Sequence, residues 1–175
     1  MQRTHFDNSD CPIARSLELV GEWWSILILR DAFHGLTKFD EFQQSLQLSP
    51  TMLTRRLKHL VQHGILYKHP YQSRPLRHEY LLTPRGKAFF PVLITLLHWG
   101  NTQLACDDIA VVPVHRQTGL PVAPALMDLA SQEKLTLDNL MLVAGPKAGE
   151  GMKRRLKNRQ DTPSLAGAPN ARNSK

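Results

Sequence analysis

Residues 49–64, SPTMLTRRLKHLVQHG, place cations and hydrogen-bond donors on one side of a predicted helix. The apolar residues recur at helical spacing, as Leu53, Leu57, Leu60 and Val61. The other side has no carboxylate and holds Thr51, Arg55, Lys58, His59 and Gln62. A merely solvated face usually mixes both signs of charge. Side chains of these types meet acceptors and negative charge, so the pattern indicates recognition of a polyanion.

The positive charge of the chain is concentrated in two segments. Residues 54–87 contain eight Lys and Arg residues against Glu79 alone, a net charge of +7. Residues 145–175 have a net charge of +6, whereas residues 1–53 and 88–144 each have −3. A positive block in mid-chain, flanked by acidic segments, is typical of a polyanion-binding surface.

Two short helices are predicted to position these cations and hydrogen-bond donors. Phe39, Phe42 and Leu46 lie on one side of the first, and after a short turn Ser49 caps the second, with Pro50 at its first position. This pattern predicts a helix-turn-helix. Gly64 ends the second helix, and the segments ILYKHPY and RHEYLL predict two strands that form a wing. A turn from Gln72 to Leu76, with Arg74 and Pro75, joins them.

Other helices are predicted on both sides of this motif. The segment EWWSILILRDAF is apolar nearly all round, which suits a helix at the centre of a small bundle. Thr83 and Pro84 predict the start of another helix, and the long segment FFPVLITLLHWGNTQL follows, with apolar residues on every side and a slight kink expected at Pro91. A partner chain would cover that helix, the alternative being packing within its own subunit. The predicted class is mainly α with a small β-wing (α+β), a winged helix-turn-helix dimerising through a long C-terminal helix.

The predicted domain organisation has four parts. Residues 1–10 form an N-terminal arm, and residues 11–104 form the winged helix-turn-helix domain for DNA binding and dimerisation. Residues 105–146 form a small extension with two or three short strands. Residues 147–175 are polar, basic and poor in core-forming residues, which predicts a disordered tail.

Several other classes of function find no support in the sequence. It shows no nucleophile elbow and no glycine-rich phosphate loop, which argues against an enzyme, and no cofactor is predicted. His59 and His63 have a spacing that can chelate a metal, but no third ligand is evident, so no metal is predicted. No apolar stretch is long enough for a membrane span, and no signal core is present, which predicts a cytoplasmic protein. Cys11 and Cys106 are predicted to be free thiols.

Residues 11–104 resemble the HxlR-type family of MarR-like winged-helix transcriptional regulators. The matching segments, in order, are CPIARSLELVG, WSILILRD, KFDEF, LSPTMLTRRLKHL, GIL and RPLRHEYLLTPRG. Glu22 and Trp23 depart from the family, which commonly has a basic residue before the tryptophan. The resemblance implies a homodimer that binds double-stranded DNA at an inverted-repeat operator and represses neighbouring genes.

The physics of the DNA groove assigns expected roles to individual residues. A B-form major groove admits one helix, and helix-turn-helix proteins contact base edges mainly from the N-terminal half of the second helix. The expected base contacts are Thr51, Met52 and Arg55, the expected phosphate contacts are Ser49, Thr54, Arg56 and Lys58, and the expected wing contacts are Arg74 and Arg77.

Cys11 precedes Pro12 at the start of the first predicted helix, with Arg15 one turn later. Unpaired backbone N–H groups and a nearby cation favour the thiolate. Some members of the resembled family use a cysteine here to sense oxidants or electrophiles, so Cys11 is a candidate redox sensor and an electrophile is a candidate inducer. The alternative is a small buried residue at a helix cap.

Two other kinds of function are kept as alternatives. A winged helix can serve protein interaction, although the unopposed charge of residues 54–87 argues against it. An RNA-binding module would favour exposed aromatic residues on a sheet, for which the wing offers Tyr67, Tyr71 and Tyr80.

Overall fold

The computed structural model of the chain describes residue 6 and residues 9–160, without the side chains of residues 158–160. It divides after Pro124 into two compact units. The elements of the first unit are α1 Pro12–Val20, α2 Trp23–Phe33, α3 Phe39–Leu46, α4 Pro50–Gln62, β1 Leu66–Ser73, β2 Leu76–Leu82, α5 Pro84–Lys87, α6 Phe90–Asn101 and a 3₁₀ turn Cys106–Asp108. The second unit contains α7 Glu150–Gln160. None of the helices in these ranges is long and apolar enough to cross a membrane.

The hydrophobic core lies among α1, α2, α3 and α4 and is closed by the start of the wing. Ile28 and Leu29 of α2 have no exposed surface, as expected for a helix apolar nearly all round. The other fully or almost fully buried apolar side chains include Phe42, Leu53, Leu57, Leu60 and Leu66. The apolar stripe of α4 is thus the side that packs on the core, which leaves its opposite side in solvent.

Local hydrogen bonds define where the helices of the motif begin. The Ser49 hydroxyl accepts from the Met52 amide (3.3 Å) and so caps α4, ahead of Pro50. At α3, one carboxylate oxygen of Glu41 accepts from the backbone N–H groups of Lys38 (2.9 Å) and Thr37 (2.8 Å). These two donors hold the pKa of Glu41 below its ordinary value. Both caps supply acceptors to amides that the helix itself cannot pair.

The two strands form the predicted antiparallel wing. Leu66 pairs with Leu82, and a bulge lies between Pro70 and Gln72. The base of the wing is fixed to the helices because the Tyr80 amide donates to the Thr37 carbonyl oxygen (2.7 Å). The Thr83 hydroxyl, which also caps α5, donates to the Gly64 carbonyl oxygen (2.7 Å). The wing is therefore held at a defined angle to α3 and α4.

The predicted long helix after Thr83 is two helices, with a break rather than a slight kink. Helix α5 ends at Lys87 and α6 begins at Phe90, with Pro91 in its first turn. Proline has no N–H group and obstructs a preceding helical turn, whereas it fits the start of a helix. No residue of α6 is fully buried, although most of its side chains are apolar.

The region after Leu104 was predicted to contain two or three short strands, and the structure differs from that prediction. In the described part of that region, strand pairing is limited to two isolated bridges, Val114↔Pro121 and Met127↔Lys134. Prolines recur at Pro113, Pro121 and Pro124 and lack the amide that a strand ladder requires.

The predicted disordered tail is helical over part of its length. Helix α7, Glu150–Gln160, presents Met152 and Leu156 four residues apart, and both are half-buried. Leu156 and residues 137–142 line a cavity of the second unit. An apolar pair at helical spacing, among good helix formers, stabilises a short helix. The basic composition of the segment does not predict this helix. Residues 161–175 lie outside the described residues.

Candidate nucleic-acid interface

Helices α3 and α4 form a helix-turn-helix. Helix α3 ends at Leu46, the left-handed conformation of the next residue, Gln47 (φ 51°), reverses the chain, and the buried Leu48 anchors the turn. Helix α4 then begins with its N-terminal turn exposed. The side of α4 that faces solvent carries Thr51, Thr54, Arg55, Lys58 and Gln62, and we call it the cationic face.

The cationic face is not neutralised by neighbouring carboxylates. Among the described residues, no salt bridge involves Arg55 or Lys58. On the wing, Arg74 and Arg77 are exposed, and no salt bridge involves either of them within the described ranges. The wing carboxylate Glu79 lies 3.0 Å from His69. Helix α4 and the wing tip therefore present cations on two separate elements of one unit, and such an uncompensated positive surface attracts a polyanion.

Two of the predicted contact residues point inward. Arg56 is 6% exposed, and its Nη2 atom lies 2.7 Å from Oε2 of Glu22, so the prediction that Arg56 contacts phosphate is wrong. Its position, one residue after Arg55, turns it about 100° around the helix toward the core. Met52 is half-buried and packs against the core, so little of its side chain is available for a base contact.

His59 and His63 interact with the protein through their ring nitrogens. His59 Nε2 donates to the Leu19 carbonyl oxygen (3.2 Å), and His63 Nδ1 donates to the His59 carbonyl oxygen (2.9 Å). The two rings lie 4.2 Å apart, centroid to centroid. Within the described residues, no group of three His, Cys, Asp or Glu side chains could hold a metal ion. His59 thus contacts α1, whereas His63 bonds back onto α4.

Cys11 is the N-cap residue of α1 and is half-buried. Its amide donates to the Ser9 hydroxyl (3.2 Å), and its carbonyl oxygen accepts from the Arg15 amide (3.1 Å). The thiol makes no capping hydrogen bond to α1. Both cysteines of the chain are free, and Cys106 is exposed. The position of Cys11 at a helix N-terminus is thus as predicted.

No local pattern in the sequence predicts the role of Glu22. This residue precedes α2 and provides the carboxylate that pairs with Arg56, 34 positions along the chain. Two residues so far apart in the sequence form no local periodic pattern from which their contact could be predicted. The family resemblance identified Glu22 as unusual, without identifying its partner.

Comparison with known proteins agrees with the geometry of the motif. A family model described as HxlR-like helix-turn-helix matches residues 19–108. An uncharacterised HTH-type transcriptional regulator of Mycobacterium tuberculosis, Rv3095, is 35% identical over 145 residues, which cover 82% of this chain and 89% of that protein.

Two solved structures are also similar. The crystal structure of PA1607, described as a candidate transcription factor, superposes with a TM-score of 0.74 at 38% identity, covering 81% of this chain and 100% of that one. The redox regulator HypR in its oxidised form superposes with a TM-score of 0.50 at 27% identity, covering 54% of this chain and 99% of that one.

The winged helix-turn-helix, with its exposed cationic face, thus coincides with the segment that the family model matches. The relatives that share this segment are transcriptional regulators or candidate transcription factors. The chain belongs to the HxlR-like helix-turn-helix family and is a transcriptional regulator of the helix-turn-helix type.

Proposed function

We propose that the protein is a repressor that binds an inverted-repeat operator in double-stranded DNA as a homodimer. The observation that carries this proposal is the cationic face of α4, which is exposed, bears no carboxylate and follows a helix-turn. A major groove admits one α-helix and displays the acceptors that arginine and hydroxyl groups meet. Helix α4 is therefore the recognition helix.

The exposed residues of α4 and its cap fall into two groups according to their position on the helix surface. Thr51 and Arg55 lie in its first half, from which base edges are contacted in helix-turn-helix proteins. Ser49, Thr54 and Lys58 flank that position and contact phosphates, which sets the register on the duplex. Arg74 and Arg77 enter the adjacent minor groove or bind its phosphates.

The apolar surface of α1 and α6 supports the homodimer. On α6, Val92, Leu96 and Trp99 recur at helical spacing and are 52%, 44% and 61% exposed. On α1, Ile13 and Leu17 are also exposed. A surface of this kind is costly in water, and a second copy of the chain covers it. Two recognition helices related by a two-fold axis then match a palindrome with half-sites about one helical turn apart.

One binding experiment separates this function from its alternatives. Fluorescence anisotropy at several salt concentrations compares a duplex selected by the protein from a random pool, a scrambled duplex of the same length and the corresponding single-stranded RNA. The proposal expects tightest binding to the selected duplex. Equal affinity for RNA favours the RNA-binding alternative, and no binding to either nucleic acid favours a protein-interaction module.

Lys58→Ala should weaken binding to all duplexes alike. A lysine that contacts phosphate releases counterions without reading sequence, so the slope of log affinity against log salt should decrease by about one unit per subunit. Anisotropy titrations from low to high salt on the selected and scrambled duplexes measure both quantities. An affinity loss confined to the selected duplex would instead assign Lys58 to base recognition.

Release from the operator by oxidants or electrophiles at Cys11 is the second part of the proposal. HypR, a redox regulator, superposes on 54% of this chain. Cys11 stands at the N-terminus of α1, whose exposed apolar residues belong to the proposed dimer surface. A quinone that forms a covalent bond with the Cys11 sulfur would alter the packing of α1 and thereby the separation of the two recognition helices.

Treatment with a quinone or with diamide should release the wild-type protein from its selected duplex. Cys11→Ser should stay bound under the same treatment, and the matched variant Cys106→Ser should be released like the wild type, since Cys106 is exposed but lies outside α1. Electrophoretic mobility shifts before and after treatment measure the bound fraction. Equal release of wild type and Cys11→Ser would make Cys11 a structural residue.

A further inference from the structure

The inward side of α4 makes polar contacts with the corner between α1 and α2, residues 19–22. Arg56 Nη2 lies 2.7 Å from Glu22 Oε2, and His59 Nε2 donates to the Leu19 carbonyl oxygen at 3.2 Å. Arg56 and His59 are three positions apart on α4, so both contacts emerge from the same side of the helix. The corner therefore contacts α4 at two points, one helical turn apart.

The guanidinium of Arg56 is buried. Its side chain is 7% exposed, and its Nε atom has no hydrogen-bond partner within the described part of the chain. A buried guanidinium is costly unless a carboxylate compensates its charge. Glu22 supplies that carboxylate while its own side chain, 35% exposed, still reaches solvent. The ion pair thus restricts Arg56 to one orientation.

The ion pair also restrains the rotation of α4 about its own axis, together with the buried stripe of Leu53, Leu57 and Leu60. Arg55 and Arg56 are adjacent, so an anchor that turns Arg56 inward turns Arg55 outward by about 100°. The corner is itself compact, because a Cβ atom at Gly21 would collide with the Leu17 carbonyl group. A rotation of α4 by a fraction of a turn would move Arg55 away from a base edge while leaving the surface charge unchanged.

We propose that Arg56, through its ion pair with Glu22, is a positioning residue that sets the orientation of the recognition helix on DNA. This inference rests on the proposed function and deepens it. Glu22 follows α1 and precedes α2, so the corner connects α1, whose N-cap residue is Cys11, with α4, the proposed recognition helix. Specificity, rather than overall DNA affinity, is the property that the ion pair controls.

Two variants separate positioning from simple stabilisation. Glu22→Gln leaves the buried guanidinium without its counter-charge, and Glu22→Gln/Arg56→Met removes both charges together. An uncompensated buried charge destabilises a protein, whereas replacing a buried pair by neutral or apolar groups is often neutral. The double variant is therefore expected to recover thermal stability without the ion pair. Glu133→Gln, in an exposed position, is the matched control.

The measurement is the ratio of affinities for the selected and the scrambled duplex, together with thermal melting of each variant. The double variant should melt like the wild type but lose about ten-fold or more of the affinity ratio, since one misplaced base contact costs about that much. Its affinity for the scrambled duplex should change less than about three-fold, because the phosphate contacts remain.

Two results would overturn the proposal in different ways. A double variant that melts like the wild type and keeps the wild-type affinity ratio would make the ion pair a structural feature and leave the proposed function intact. A wild-type protein without any preference for the selected duplex would overturn the proposed function, and the positioning role with it.

Discussion

Arg55→Ala is expected to remove most of the preference of the protein for its operator. Arg55 is exposed in the first half of α4, beside Thr51, and no salt bridge competes for it among the described residues. A bidentate arginine contact with a base contributes about 1–3 kcal/mol of discrimination. A homodimer uses two copies, so the selected duplex should lose about 2–6 kcal/mol relative to a scrambled duplex.

The matched control for this variant is Lys87→Ala. It removes one exposed cation from α5, outside the recognition helix, and therefore changes the net charge equally. Affinities for the selected and scrambled duplexes, measured at one salt concentration, report the discrimination of each variant. If Arg55→Ala weakened binding to both duplexes to the same extent, as the loss of a phosphate contact does, Arg55 would not be a residue that contacts bases.

Trp99→Asp is expected to convert the dimer to a monomer and to weaken operator binding by about 100-fold or more. Trp99 is 61% exposed on α6 and lies near the exposed side chains of Val92 and Leu96. A carboxylate there would be buried without a partner in the proposed dimer, although the monomer would keep its core. Losing the second half-site removes the gain in affinity that comes from linking two binding sites.

Light scattering at micromolar protein concentration measures the mass of the variant, and anisotropy measures its affinity. Leu129→Asp is the matched control, because Leu129 is 83% exposed and lies in the second unit rather than on α6. Far-ultraviolet circular dichroism should be the same for both variants and the wild type. A dimeric Trp99→Asp variant would place the dimer interface elsewhere than on α6.

Most of the helix-turn-helix could be predicted because its determinants are local. The stripe of Leu53, Leu57 and Leu60 identifies the buried side of α4, and Ser49 followed by Pro50 defines its start. The strand pattern after Gly64 predicted the wing for the same reason. Exposure of Thr51, Arg55 and Lys58 follows directly, since residues opposite a buried stripe face solvent.

Two elements differ from their predictions because a local pattern in each was compatible with two structures. Pro91 could kink a long helix or begin a new one, and the chain breaks between α5 and α6. The basic segment after residue 147 met the compositional criteria for disorder, yet Met152 and Leu156 give α7 an apolar side. Composition averages over a segment, whereas one apolar pair can stabilise a helix.

The sequence by itself determined the class of fold, the cationic face of α4 and the position of Cys11 at the start of α1. Each of these depends on spacing within one element or on net charge, both of which are properties of the chain alone. The tertiary structure decided that Arg56 pairs with Glu22 while its neighbour Arg55 faces solvent. Helical spacing places Arg56 on the side of Leu53, Leu57 and Leu60, but only the packing of α2 on α4 brings the carboxylate from 34 residues away that compensates a buried guanidinium there.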